Sequence, residues 1–290
     1  MKKIVILIPI YNDWDSLKKL FFEINNQIKT IKNIKFSCMI INDASTIMAP
    51  NMKKPNYFHN LKIMNMKRNK GHARCLAFGL RYIFKYEKFD YVILMDGDGE
   101  DRPEEIKGLT SEITQNPDSS VVAKRIKRSE GMLFKFLYEI HKLITYIFTG
   151  QKINFGNYSC LTKNDLNKIH SEASLWSSFS GTVKKNIENF NEVNSTRGSR
   201  YTGPSKMSLF NLIIHSFSII AVFKKNVFIR SVLILFVSSF LFLFSNIFFI
   251  FFSILIIFFN IIIFSVSTRE NKQELENSES NLINISEIRH

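Results

Sequence analysis

Cysteine is scarce. Three are present among 290 residues, Cys38, Cys75 and Cys160, far apart and with no CxxC pair. That excludes a disulfide framework and gives no support to a zinc site. All three are expected to be reduced and packed as small apolar side chains. Acid is in deficit: 25 Asp and Glu face 39 Lys and Arg, a formal net charge of +14. No recognised nucleic-acid motif accompanies that charge, so nucleic acid is not an expected partner. An anionic membrane surface or a polyphosphate is a better use for it. Internal repeats are absent. A cleavable leader is not expected either, because the apolar run after Lys2-Lys3 is short and no small-residue cleavage site follows it.

Residues 1–206 lack any long apolar run and alternate apolar with charged stretches, as a soluble domain does. Residues 227–266 are the reverse, with Arg230 their only charge. About 20 residues cross a bilayer, so this stretch predicts two spans, near 227–244 and 247–266, broken at Ser245-Asn246. One long tilted helix is the alternative. Lys224, Lys225 and Arg230 flank the entrance and Arg269 and Lys272 the exit, which places both ends of a hairpin in the cytoplasm. Residues 132–148 and 208–223 read as largely apolar helices, either core or lying in the membrane interface. The expected organisation is a catalytic domain over 1–206, an interfacial helix over 207–225, a transmembrane hairpin over 226–267 and a disordered polar tail over 268–290.

Within the first domain, Ile4–Ile10 suits a strand buried on both faces. Further strands are expected at Phe36–Ile41, Leu61–Met66, Tyr91–Met95 and Ser120–Ala123, with helices over Asp15–Lys29, Gly71–Glu87 and after Pro103. Strands alternating with helices imply an α/β fold, a mostly parallel sheet with helices on both faces. Such sheets bind ligands outside the carboxyl ends of their strands. Pro9–Asp13, Asp43 and Asp96–Glu100 all fall at such ends.

The sequence VILMDGDGEDRPEE at 92–105 sets Asp96, Asp98, Glu100 and Asp101 directly after an apolar run. Carboxylates two apart on a loop offer oxygen to one hard divalent ion, Mg2+ or Mn2+, which commonly bridges to substrate phosphates. A solvated acidic turn is the bland alternative.

IPIYND (8–13), INDAS (41–45), NKGHARCLAFGL (69–80) and LMDGDGEDRPEE (94–105) together resemble the family 2 glycosyltransferases of the GT-A fold. RYTGPSKMSL (200–209) is similar to a segment of the branch that acts on polyprenyl phosphates. The resemblance implies that Pro9, Tyr11 and Asp13 line a base and ribose site and that Asp43 contacts the base of a UDP- or GDP-sugar. Asp96 would approach the ribose or donor sugar, and Asp98, with Asp96 and Glu100 beside it, would hold the metal. Arg200 and Lys206 would reach the pyrophosphate or an acceptor phosphate, with Lys124, Arg125 and Arg128 as candidates for the same region. Asp43 capping a turn, and the basic residues serving as surface charge or lipid contacts, stay open. His72 and Arg74 read as structural or surface residues. His141, His170 and His215 are not expected to be ligands.

INFGNYSCL (153–161) aligns with a stretch that often reads G-D-F-R-L, so Asn157 stands in place of the acid and Ser159 in place of the arginine. Asn cannot act as a general base. A lipid monophosphate, with a second pKa near 6, is already an anionic nucleophile at pH 7 and needs none; a hydroxyl acceptor does. The expected activity is therefore inverting transfer of a sugar to an undecaprenyl-type phosphate at the inner membrane. Two alternatives stay open: transfer to a lipid-linked saccharide hydroxyl, and a non-catalytic membrane-bound relative. So does a homo-oligomer.

Overall fold

The computed structural model describes residues 1–127, 132–203, 208–241 and 246–288. In chain order the elements are β1 (Lys2–Ile10), α1 (Trp14–Ile28), β2 (Ile34–Asn42), β3 (Phe58–Met66), α2 (His72–Tyr86), β4 (Tyr91–Leu94), α3 (Ile106–Gln115) and β5 (Ser120–Lys127). They continue as α4 (Met132–Thr149), β6 (Phe155–Thr162), α5 (Lys163–Ile169), α6 (Phe179–Asn186), β7 (Phe190–Thr196), α7 (Leu209–Ala221), α8 (Lys224–Leu241), α9 (Asn246–Ser267), α10 (Lys272–Glu276) and β8 (Leu282–Glu287).

The strands form one sheet in the order β7-β5-β6-β4-β1-β2-β3-β8. β1 lies at its centre, parallel to β2 on one side and β4 on the other, and β3 continues the parallel run. That position explains the uninterrupted apolar sequence of β1: Ile4, Ile6, Ile8 and Ile10 face α1 and α3, while Val5 and Leu7 face α2. α1 supplies Leu17, Leu20, Phe21, Ile24 and Ile28 at helical spacing. α2 packs so closely that a Cβ on Gly79 would lie 2.5 Å from a Leu7 methyl. All three cysteines are free and buried.

β6, absent from the sequence reading, runs antiparallel between β4 and β5, and β7 pairs parallel with β5. The tail also departs from expectation. Far from disordered, it forms α10 and then β8, which pairs antiparallel with β3 from Lys62↔Glu287 to Met66↔Leu282. The reason is the exposed edge of β3, whose unpaired N–H and C=O groups accept an added strand. The sheet is therefore not confined to residues 1–206.

α8 and α9 occupy the stretch in which two spans are expected. Among the described residues, one helical stretch, Asn246–Glu276, is long and apolar enough to cross a membrane by length and composition. α8 and α9 touch through Asn260 Nδ2, which donates to Ser231 Oγ at 2.8 Å. α8 also closes the end of α4: Arg230 donates to the Ile147 carbonyl at 3.1 Å and Asn226 to that of Thr149 at 3.2 Å, satisfying carbonyls that a helix end leaves free. The start of α8 and the end of α9 are joined by the Lys224–Glu270 pair at 2.9 Å.

Candidate active site

The carboxyl ends of β1, β2 and β4 form a rim where the backbone is unusually bent. Asn12 and Ala44, just past β1 and β2, have φ of 53° and 56°. Asn12 N donates to Ser45 Oγ at 2.9 Å, tying the two strand ends together. Past β4 the acidic loop folds on itself: Asp96 N donates to Asp101 Oδ2 at 2.9 Å and Glu100 N to Asp98 Oδ1 at 3.0 Å. Gly99 has φ of 89°, and a Cβ there would lie 2.5 Å from the Tyr201 ring; only glycine suits both demands.

The ring belongs to a second segment laid along the loop. Gly198 N donates to the Glu100 carbonyl at 2.8 Å and Tyr201 N to that of Asp98 at 2.9 Å. This places two guanidiniums among the carboxylates. Arg200 bridges Asp98 Oδ2 and Asp13 Oδ2, each at 2.5 Å, and Arg197 pairs with Glu100. On the other side, His72 Nε2 at the start of α2 lies 3.3 Å from Asp96 Oδ1, and Asn157 Nδ2 on β6 lies 2.9 Å from the same imidazole nitrogen.

Burial sets the electrostatics. It pushes the Asp98 carboxyl up to about 6, with the Asp96 charge adding to the effect. Burial and the same neighbour push Asp101 up to about 8. Burial works on Asp96 as well, but His72, Arg197 and Arg125 outweigh it and hold that carboxyl below the usual range. Asp96 therefore holds its charge more firmly than Asp98 or Asp101. Its Oδ1 is buried and makes no hydrogen bond. His215 of α7 is pushed down to about 4 by burial, then by the nearby charge of His72 and Arg125, so α7 reaches the edge of this cluster.

Asp13, Asp96, Asp98, Glu100, Asn157, Arg125 and Arg200 are brought together. Arg125 lies against Gly156, within electrostatic reach of Asp96 and Asp101. Pro9 is buried beside Gly97, and Tyr11, 38% exposed, stands at the rim. Asp43 is buried, and its two oxygens accept from Lys70 N and Gly71 N, both at 2.8 Å; it fixes the loop leading into α2. Lys124 is not in the cluster. Adjacent residues of a strand point to opposite faces, and its Nζ pairs with Glu192 of β7 at 2.8 Å. Arg128 and Lys206 lie outside the described residues. Arg197 escaped sequence reasoning; His72, read there as structural or surface, lies 3.3 Å from Asp96, and Asp101 was named in the acidic cluster without a role of its own. The repeat of Arg three residues before Arg200 in STRGSRY was the available signal for Arg197. Arg74 does act structurally, donating to the Lys70 carbonyl at 3.2 Å.

The donor set fits a hard divalent ion: clustered carboxylate oxygens, one of them buried without a hydrogen-bond partner. Among the described residues no three acidic, histidine or cysteine side chains converge to enclose an ion. Its shell would need oxygens from a ligand, and Asp98 would have to leave Arg200 to join it.

The acidic, arginine-clamped loop lies at the carboxyl rim of a mostly parallel sheet, the place where such sheets bind ligands. More narrowly, the chain belongs to glycosyl transferase family 2, whose model matches residues 5–176. It is 27% identical over 168 residues to an uncharacterised glycosyltransferase of Synechocystis, covering 57% of this chain and 51% of that protein. It is 25% identical over 165 residues to an undecaprenyl-phosphate 4-deoxy-4-formamido-L-arabinose transferase of Salmonella choleraesuis, covering 56% of this chain and 48% of that protein. The chain thus spans about half the length of these curated relatives. Among solved structures, the fold matches glucosyl-3-phosphoglycerate synthase from Mycobacterium tuberculosis in complex with Mn2+, UDP-glucose and phosphoglyceric acid. The TM-score is 0.53 at 12% identity, over 78% of this chain and 80% of that one. The fold is GT-A-like.

Proposed function

We propose that this chain is a membrane-anchored, inverting glycosyltransferase that moves a sugar from a nucleotide-sugar to a polyprenyl phosphate at the cytoplasmic leaflet of the inner membrane. The observation that carries the reading is the convergence of Asp96, Asp98 and Glu100 with Arg197 and Arg200 on the sheet rim. The undecaprenyl-phosphate relatives support the acceptor, and the Mn2+ and UDP-glucose of the structural neighbour support the donor and ion.

In the transfer, a phosphate oxygen of the acceptor bonds to the anomeric carbon. The bond from that carbon to the diphosphate oxygen breaks, and its electron pair leaves with the nucleoside diphosphate. Asp96 and Asp98, with Glu100 beside them, would hold Mg2+ or Mn2+, which supplies Lewis acidity toward the departing diphosphate. Arg200, released from Asp98, and Arg197 add fixed positive charge to the same region. Pro9, Tyr11 and Asp13 line the nucleoside side, while Asp43 holds the loop beneath it. Asn157 orients a ligand by hydrogen bonding and removes no proton, which suits an acceptor already ionised at pH 7.

α8 and α9 form the anchor. The Lys224–Glu270 pair and the pairing of the tail with β3 support a hairpin with both ends on the catalytic side, and Lys224, Lys225, Arg269 and Lys272 support the cytoplasm as that side. A second reading, transfer to a saccharide hydroxyl, draws on the contact of His72 with both Asp96 and Asn157.

The test is purified full-length protein in neutral detergent with UDP- and GDP-sugars. Nucleoside diphosphate release is expected only with both polyprenyl phosphate and Mg2+ or Mn2+. EDTA should stop it, and Asp98→Ala should slow it at least about a hundredfold. Equal turnover with a neutral glycolipid replaces the first reading with the second. Metal-independent nucleotide binding without turnover removes both.

A further inference from the structure

A second concave site lies away from the acidic loop. Gln151, Lys184, Lys185, Val222, Phe223, Lys224, Lys225 and Asn226 line a cavity of about 290 Å3 and include no residue of the candidate active site. The volume is at the lower end for small-molecule pockets, ~300–1,000 Å3.

Its chemistry is one-sided. Lys184 and Lys185 come from the last turn of α6, whereas Lys224 and Lys225 open α8. Lys224 pairs with Glu270 and Lys184 Nζ lies over the Phe190 ring, 5.2 Å from its centroid; among the described residues no ion pair is formed by Lys184, Lys185 or Lys225. Cations at a helix C-terminus offset its dipole, which accounts for Lys184 and Lys185 separately. It does not account for their meeting two further lysines across a cavity, where like charges repel. The lining has a second character: Val222 and Phe223 give it an apolar wall, and α8 leads away with Phe228 64% exposed.

We infer that this cavity binds the phosphate of an anionic lipid headgroup, with the acyl chains running along α8. The geometry is that of an amphiphile: cationic donors at one end, apolar wall beside them, apolar helix beyond. Because α6 belongs to the catalytic domain and α8 to the anchor, a lipid held between them fixes the tilt of the domain on the bilayer. The placement of lipid rests on the reading of α8 and α9 as membrane segments; binding of a phosphate anion does not.

The full-length protein in neutral detergent is titrated with short-chain phosphatidylglycerol, short-chain phosphatidylcholine, inorganic phosphate and pyrophosphate, with a thermal shift as readout. Phosphatidylglycerol is expected to bind and phosphatidylcholine not. The variant Lys184→Gln/Lys185→Gln/Lys225→Gln should weaken binding roughly fivefold per lysine. Lys32→Gln/Lys35→Gln, exposed and remote from the lining, should change it less than twofold. Equal loss in the two variants reduces the effect to net charge and overturns the site. Inorganic phosphate or pyrophosphate binding as tightly as phosphatidylglycerol overturns the lipid in favour of a free anion. Extraction of the protein from membranes by alkaline carbonate would overturn the anchor separately, leaving the anion titration to decide the cavity. Nucleotide-sugar binding, retained by the triple variant, certifies its fold.

Discussion

The acidic loop and the lysine cavity handle charge in opposite ways. At the loop, Asp13, Asp96, Asp98, Glu100 and Asp101 are closely packed, and Arg125, Arg197 and Arg200 are threaded among them. At the cavity, four lysines meet, and among the described residues only Lys224 has a carboxylate partner, Glu270. A compensated cluster is part of the fold's stability and must be opened for chemistry. An uncompensated one adds nothing to stability until something binds. The surplus of basic residues in the composition hides this division, since net charge averages over both.

The largest effect should come from breaking the compensation. Arg200→Ala leaves Asp13 and Asp98 without their shared partner in a region where all three side chains are 12–15% exposed. A loss of about 3 kcal/mol is expected, read as a fall in urea midpoint in detergent. Lys185→Ala at the cavity should stay within about 0.5 kcal/mol. Comparable losses at the two sites would erase the distinction.

Truncation after Arg269 tests how far the tail serves both regions. It removes Glu270, buried Leu275 and the β8 ladder. About 2 kcal/mol should be lost from Leu275 burial, and the bared edge of β3 should promote aggregation, visible by light scattering. The cavity, deprived of Glu270, should bind phosphatidylglycerol more tightly. Unchanged stability would mean that the tail is dispensable to the sheet.

How much was legible from sequence follows the same physics. β1, β2 and β4 are buried on both faces, and continuous apolar runs announce them. The acidic loop was legible because its residues are neighbours in sequence. β7, FNEVNST, and β8, LINISE, are half-exposed edge strands. Their pairing energy is in the backbone, so side-chain patterning is weak. β6 carries Gly156, Asn157 and Ser159 because it passes the site, which broke the apolar run that marks a strand. Arg197 and His72 reach Asp96 from about 100 and about 25 residues away in a packed interior, a distance that local spacing does not report.

A smaller effect separates the members of the acidic loop by pH. Asp101 has a folded pKa of about 8 against an ordinary value of 3.8. The folded state therefore holds this proton more tightly, and stability falls as pH rises through that window. Asp98, raised to about 6, and His215, lowered to about 4, have finished titrating by pH 7 to 8. Between pH 7 and 9, in EDTA, Tm of the wild type should fall, and Asp101→Asn, which keeps an acceptor for Asp96 N, should flatten the slope. A slope unchanged by the substitution would place the titration elsewhere.

The smallest effect concerns where backbone strain resides. Ala44 holds φ of 56° while its N–H donates to the Asn42 carbonyl at 2.8 Å and Ser45 N donates to Asn42 Oδ1 at 3.1 Å. The left-handed conformation costs an L-residue about 1–2 kcal/mol, and glycine gives part of that back through the greater freedom of its unfolded chain. Ala44→Gly should therefore gain about 0.5 kcal/mol. The turn it relaxes carries Ser45, whose Oγ accepts from Asn12 N and ties the end of β2 to that of β1, so under the proposed function the gain should come with looser nucleotide-sugar binding. A stability loss would show that the Ala44 methyl is needed for packing, and that the rim is held by contacts more than by strained turns.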